Sequence, residues 1–204
     1  MVESWRAPGR PAARHSPLPA RRYPMNTTRY ASSQRFLHWL IAALVVLALL
    51  SIELKGWLPK GSSERAVVKW AHTQFGISVL LLSLVRLAML RRGMTPPISP
   101  QPPAWQMYAA RLMHLALYAL TLMVPLLGAA MMFLAGKSWS FVGLSLPTAM
   151  PPDSALAHQI ENIHETMGNV LLWLAIAHAA AALYHHFIQR DDTLLRMTGG
   201  RRDK

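Results

Sequence analysis

Apolar residues fall into four blocks, approximately Phe36 to Leu54, Val67 to Leu90, Met107 to Leu134 and Ile160 to Phe187, with proline and polar residues gathered between them. A hydrocarbon core about 30 Å thick takes roughly 20 residues of α-helix at about 1.5 Å per residue. Each block is of that size and carries few charges. The pattern therefore predicts an all-α integral membrane protein, a single four-helix bundle spanning the bilayer.

The segments outside the blocks fix the remaining organisation. Residues 1–29 are rich in Arg, Pro and Ala without a long apolar run, which predicts a disordered extension rather than a signal peptide, with Met25 as an alternative start. Residues 30–190 form the bundle, and 191–204 a basic cytoplasmic tail. The stretch from Thr95 to Pro103 holds five prolines, so it predicts a stiff, non-helical link between the second and third spans. Pro125 and Gly128 fall inside the third span and predict a kink there. The region around Trp139 and Pro151 reads as an interfacial loop before the fourth span.

Charge adds direction. The net charge of +12 is carried mostly by the tails and connections, which argues against a nucleic-acid-binding face. Seven arginines from Arg6 to Arg35, the Arg91-Arg92 pair and the cations from Arg190 to Lys204 place both termini in the cytoplasm by the positive-inside rule. Lys55, Lys60, Arg65 and Lys69 run against that rule, since they fall in an outside connection.

The nine histidines and the absence of cysteine supply the chemistry. Without Cys there is no disulfide and no covalent c-type haem attachment. His15 falls in the N-terminal extension and His158 in the outer loop, but His38, His72, His114, His164, His178, His185 and His186 lie in or at the ends of the spans, where ionisable groups are costly and usually functional. His164 and His178 are fourteen residues apart, so they return to nearly one helix face, about 40° short, at depths differing by roughly 21 Å. Two stacked haems need ligands so spaced. Span direction puts His72 and His164 in the outer half and His38 and His178 in the inner half, giving one bis-histidine pair at each depth. Such pairs leave no open iron position and favour electron transfer over oxygen binding. A core hydrogen-bonding role or a proton relay is the competing reading. Arg86, fourteen residues after His72, lies at the inner end and is either a contact for the propionates of the inner haem or a snorkelling cation. His114 is the rival inner ligand, and His185-His186 are interfacial residues, quinone donors or proton suppliers.

The runs Phe36-Leu37-His38-Trp39, Ala71-His72-Thr73-Gln74-Phe75-Gly76, Val85-Arg86-Leu87, Thr95-Pro96-Pro97, His164-Glu165-Thr166 and His178 through His186 together resemble the bacterial cytochrome b561 family. Within it, the chain is most similar to the small di-haem members that act as superoxide:ubiquinone oxidoreductases. The resemblance spans about Met25 to Met197. It implies two haem b groups held by the positions matching His38, His72, His164 and His178, electron flow from superoxide outside to ubiquinone near the inner side, and a quinone-associated role for His185. Gln101 stands where the resemblance implies a Lys. The cationic first connection would then attract the superoxide anion. Two other functions fit the same residues: a membrane anchor and electron conduit between a periplasmic dehydrogenase and the quinone pool, and a haem-free proton-coupled transporter.

Overall fold

The computed structural model describes residues 30–92, 98, 101–149 and 151–199. The N-terminal extension with His15 and Met25, most of the proline-rich link, and the cations Arg201, Arg202 and Lys204 lie outside the described residues. Four long helices form an antiparallel bundle: α1 (Ser32–Trp57), α2 (Ser63–Arg92), α3 (Ala104–Leu134) and α4 (Ser154–Tyr184). All four are long and apolar enough to cross a membrane. Each begins before its apolar block, and α4 ends before its block does, because helix ends are set by hydrogen bonding as well as by hydrophobicity.

The caps are visible. Asp153 accepts a hydrogen bond from the Leu156 amide at 2.9 Å, starting α4 six residues before the apolar run. His158 is therefore on a helix, where the sequence pattern put it in a loop. At the other end of the first connection, Arg65 donates to the carbonyls of Lys55 at 2.6 Å and Leu58 at 2.8 Å. Both carbonyls lie where the α1 hydrogen-bond ladder ends, and that of Lys55 also accepts from the Leu58 amide at 3.3 Å. One of the four cations that contradicted the charge rule thus has a structural task.

Helices α1 and α2 pack closely, as do α3 and α4, and α2 meets α3. A small apolar core of Ile41, Val45, Val79, Leu120, Val124 and Leu171 joins all four. The outward faces are apolar too, with Leu50, Leu84, Leu112 and Trp173 exposed, as lipid-facing helices require. Trp57, Trp70 and Trp105 stand exposed near helix ends, where indoles suit the membrane–water boundary.

Between α3 and α4 lies a two-stranded antiparallel hairpin, β1 (Trp139–Phe141) and β2 (Leu144–Leu146), which helical periodicity did not reveal. Its two-residue turn has positive φ at both Val142 (50°) and Gly143 (82°), the pattern of a type I′ turn. A β-branched residue is strained there. Gln74 of α2 holds the strained turn in place, donating from Nε2 to the Ser140 carbonyl at 2.7 Å and accepting from the Val142 amide at 3.1 Å. Gln74→Leu removes both bonds, each worth about 1 kcal/mol net. We expect limited proteolysis to cut within 139–146 several-fold faster in this variant, with the helical circular-dichroism signal unchanged.

At the opposite end, near both termini, α4 passes into a π-helical turn (His185–Gln189) that closes on Arg190 in the left-handed region (φ 54°). The chain then folds back. Within the part assigned from the sequence to a basic tail, Asp191 and Arg196 are buried, and residues Leu195–Thr198 form a short helix, α5. Trp39 donates from its indole nitrogen to the Met197 carbonyl at 3.1 Å, and the Arg196 guanidinium lies 5.4 Å from the centre of the Tyr30 ring. Residues 191–199 are thereby fastened to the start of α1.

Candidate haem and electron-transfer site

Two pairs of histidine rings face one another across the bundle, one at each end. Near the hairpin, the rings of His72 (α2) and His164 (α4) have centres 6.1 Å apart and planes at 89°. Near the termini, His38 (α1) and His178 (α4) are 6.4 Å apart at 82°. A first-row metal–imidazole bond is about 2.0–2.1 Å, and the ring centre lies about 1.1 Å behind the bonded nitrogen. Two imidazoles on opposite sides of one iron therefore have centres about 6.3 Å apart. Both pairs match that separation. His114, the rival from α3, is exposed and lies 5.4 Å from His178, about 1 Å too close for an iron between them.

The hairpin-end pair is also prepared chemically. His72 Nδ1 lies 2.9 Å from the Ala48 carbonyl, and His164 Nδ1 lies 2.9 Å from the Val124 carbonyl. A carbonyl only accepts, so Nδ1 carries the proton in each ring and Nε2 keeps its lone pair. This is the arrangement by which outer partners fix a ligating histidine. The acceptors come from α1 and α3, the two helices that contribute no ring to this pair.

Beside these rings is a cavity of about 760 Å³, within the size range of cofactor sites. Gly76 and Gly168 line it, one helical turn after His72 and His164 respectively. A Cβ added at either would meet nothing within 4 Å. The two glycines therefore leave open space next to the paired rings, into which a flat macrocycle could fit. Gly128 serves differently: a Cβ there would stand 3.0 Å from His164 Cε1, so its absence lets α3 support the ring closely. Trp139 lies on the cavity wall with a buried indole nitrogen that has no acceptor among the described residues. A buried donor of this kind calls for an acceptor, and a haem propionate would supply one. The residues fit haem. Among the described residues, no cluster of three or more His, Asp or Glu side chains suits a metal ion held by protein alone.

Arg86 is 8 % exposed, so it does not snorkel. Its guanidinium donates from Nε to the Tyr118 hydroxyl at 3.1 Å and from Nη1 to the Gln34 carbonyl at 2.9 Å, linking three helices. Its charge acts on His38, His114 and His178. No carboxylate pairs with it among the described residues. A buried cation beside the termini-end pair suits an anionic group held there.

The mouth of the cavity mixes charges. Lys55, Lys69 and Lys137 line it together with Glu53, Glu161 and Glu165, whereas Arg65 is committed to the end of α1. His185 sits two turns beyond His178, at the first position of the π-helical turn, and its Nδ1 lies 2.5 Å from Asp191 Oδ2. Spacing and hydropathy gave no sign of Asp191; six residues past His185 in an apparent tail, it becomes visible only through the π-helical turn.

The profile of a family described as prokaryotic cytochrome b561 matches residues 29–200. The chain is similar to the cytochrome b561 homolog 1 of Escherichia coli K12, at 47% identity over 83% of this chain and 96% of that protein. It is similar also to the probable superoxide oxidase CybB of Yersinia pestis, at 36% identity over 83% and 95% respectively. The cytochrome b561 homolog 2 of E. coli K12 is 33% identical over 84% of this chain and 92% of its own length.

Proposed function

Because this chain belongs to the prokaryotic cytochrome b561 family of haem-b electron-transfer membrane proteins, we propose that it holds two haems and transfers electrons from superoxide at one membrane face to ubiquinone at the other. The observation that carries the proposal is the pair of histidine couples, His72 with His164 and His38 with His178, at separations of 6.1 and 6.4 Å. Bound haem supplies reversible one-electron transfer. The four imidazoles would hold the irons with no open position, so that an electron passes while oxygen does not bind. Val124 and Ala48 would keep the hairpin-end rings in the ligating tautomer. Arg86 would face the propionates of the other haem.

In this reading the termini end faces the cytoplasm of a multi-pass inner-membrane protein, as the arginines gathered around it favour. The hairpin end then faces the periplasm. Lys55, Lys69 and Lys137 stand among the residues that line this cavity, where they would attract an anion arriving from outside. The presence in the family of the Y. pestis probable superoxide oxidase supports superoxide as that anion. His185, on the far side of His178, would meet the quinone.

Stopped-flow mixing of the oxidised, haem-loaded protein with superoxide tests the proposal. Haem reduction within the mixing experiment, followed by reoxidation when a short-chain ubiquinone is present, is the expected result. Reduction that requires a soluble periplasmic dehydrogenase would instead favour the anchor and conduit. Neutralising Lys55 and Lys69 to Gln is expected to slow reduction by superoxide several-fold at low ionic strength and to flatten its dependence on salt. Unchanged kinetics would mean that the three facing carboxylates cancel the field.

A further inference from the structure

The π-helical turn at the end of α4 places a buried carboxylate on a histidine that the electron path ends beside. Asp191 is 2 % exposed, and its Oδ2 receives His185 Nδ1 at 2.5 Å. Its Oδ1 accepts from the Thr193 amide at 2.9 Å, and its own amide donates to the His185 carbonyl at 3.1 Å. Arg190 takes the left-handed conformation that turns the chain back onto its own helix. Four separate features therefore converge on one contact. Burial would push the Asp191 carboxyl up, but the hydrogen bonds from His185 and Thr193 prevail and hold it below the ordinary aspartate value. It therefore remains a carboxylate, an acceptor for Nδ1–H.

We infer that Asp191 is a positioning residue for quinone reduction: it fixes His185 as the Nδ1–H tautomer and orients the ring so that Nε2 is the atom that meets the quinone. The inference rests on the quinone role proposed for His185. His185 follows His178 by seven residues, which is about 10.5 Å along the helix and about 20° from the same face. A quinone beside it is thus near the termini-end haem. The segment that carries Asp191 is anchored to α1 next to His38, through Trp39 and Met197 and through Arg196 and Tyr30, so the carboxylate is held from both sides of the site.

The chemistry balances as follows. Conversion of the quinone to quinol consumes two electrons, which arrive singly along the haem path, and two protons. One proton leaves Nε2 of the protonated ring for the carbonyl oxygen that faces it, while Nδ1–H stays on Asp191. The other comes from cytoplasmic water at the far carbonyl oxygen, and water then returns a proton to Nε2. With Nδ1 held by the carboxylate, exchange with the quinone is confined to one nitrogen.

The test uses full-length, haem-loaded protein in lipid nanodiscs, with ubiquinone-1 as the probe. Asp191→Asn is expected to leave two haems per chain and reduction by superoxide intact, and to slow reoxidation by saturating ubiquinone-1 about tenfold to a hundredfold, the range typical of losing a partner that orients a functional histidine. KM should change much less than kcat. His185→Gln should act similarly, the double variant should be no slower than His185→Gln alone, and Asp191→Glu should recover part of the rate. In ¹⁵N-histidine NMR, a strongly downfield Nδ1 proton should be present in the parent and in Asp191→Glu and absent from His185→Gln.

Wild-type reoxidation in Asp191→Asn, or single effects that multiply in the double variant, would overturn the inference. If Asp191→Asn fails to fold, Asp191→Glu decides: a partly restored rate with the downfield proton supports it, and a wild-type rate without that proton overturns it. A parent protein that shows the downfield proton but is not reoxidised by ubiquinone-1 would remove the quinone role itself, a different failure from an active parent that is indifferent to Asp191.

Discussion

His164→Ala is expected to halve the haem content, from two per chain to one, in a protein that still inserts and folds. The ring of His164 is half of the pair with His72, and both rings present Nε2 because Val124 and Ala48 hold the other nitrogen. If the pair holds a haem as proposed, removing one imidazole would remove one of its ligands, and the carbonyl that oriented the ring could not replace it. His72→Ala should lose the same haem, leaving a residual spectrum and reduction potential that match those of His164→Ala. His38→Ala and His178→Ala should leave the complementary spectrum. A pyridine haemochrome assay with a redox titration of the four variants checks this. If the two members of a pair left different residual haems, the pairing would be wrong.

Gly168→Leu is expected to evict that same haem without touching a ligand. A Cβ at Gly168 meets nothing within 4 Å, so a protein with no cofactor would accept the substitution, and helix propensity would favour it by up to about 1 kcal/mol. In the haem-loaded protein the leucine would grow into the cavity beside His164, the space that a macrocycle held by His164 would need. Haem stoichiometry should fall to one while the far-ultraviolet circular dichroism stays the same. Two haems per chain in Gly168→Leu would mean that the cavity beside Gly168 is not the haem's.

Part of this arrangement was legible in the chain. The four spans were, because a bilayer demands about 20 apolar residues and nothing else in the sequence resembles such a run. The histidine depths followed from helix rise and alternating direction alone. The hairpin was not legible: strands of three residues carry no periodicity, and the turn depends on Gln74, more than sixty residues earlier. The start of α4 has no hydrophobic signal, because Asp153 caps it with a hydrogen bond. Arg65 read as an anomaly of topology until the end of α1 was seen to use it.

The third helix shows the division most clearly. From its sequence, α3 offers His114 and little else. In the fold, it supplies the Val124 carbonyl that sets the His164 tautomer, the missing side chain of Gly128 that admits the ring, and the Tyr118 hydroxyl bonded to Arg86. These contributions are a backbone oxygen, an absent atom and a long-range contact, and none has a signature along the chain. The sequence by itself determined the four spans and the two depths at which histidines can meet, because both follow from length and period on a single helix. Only the tertiary structure decided which nitrogen of each hairpin-end ring is free, where the macrocycle has room and that Asp191 reaches His185, because each of these depends on how two separate segments approach in space.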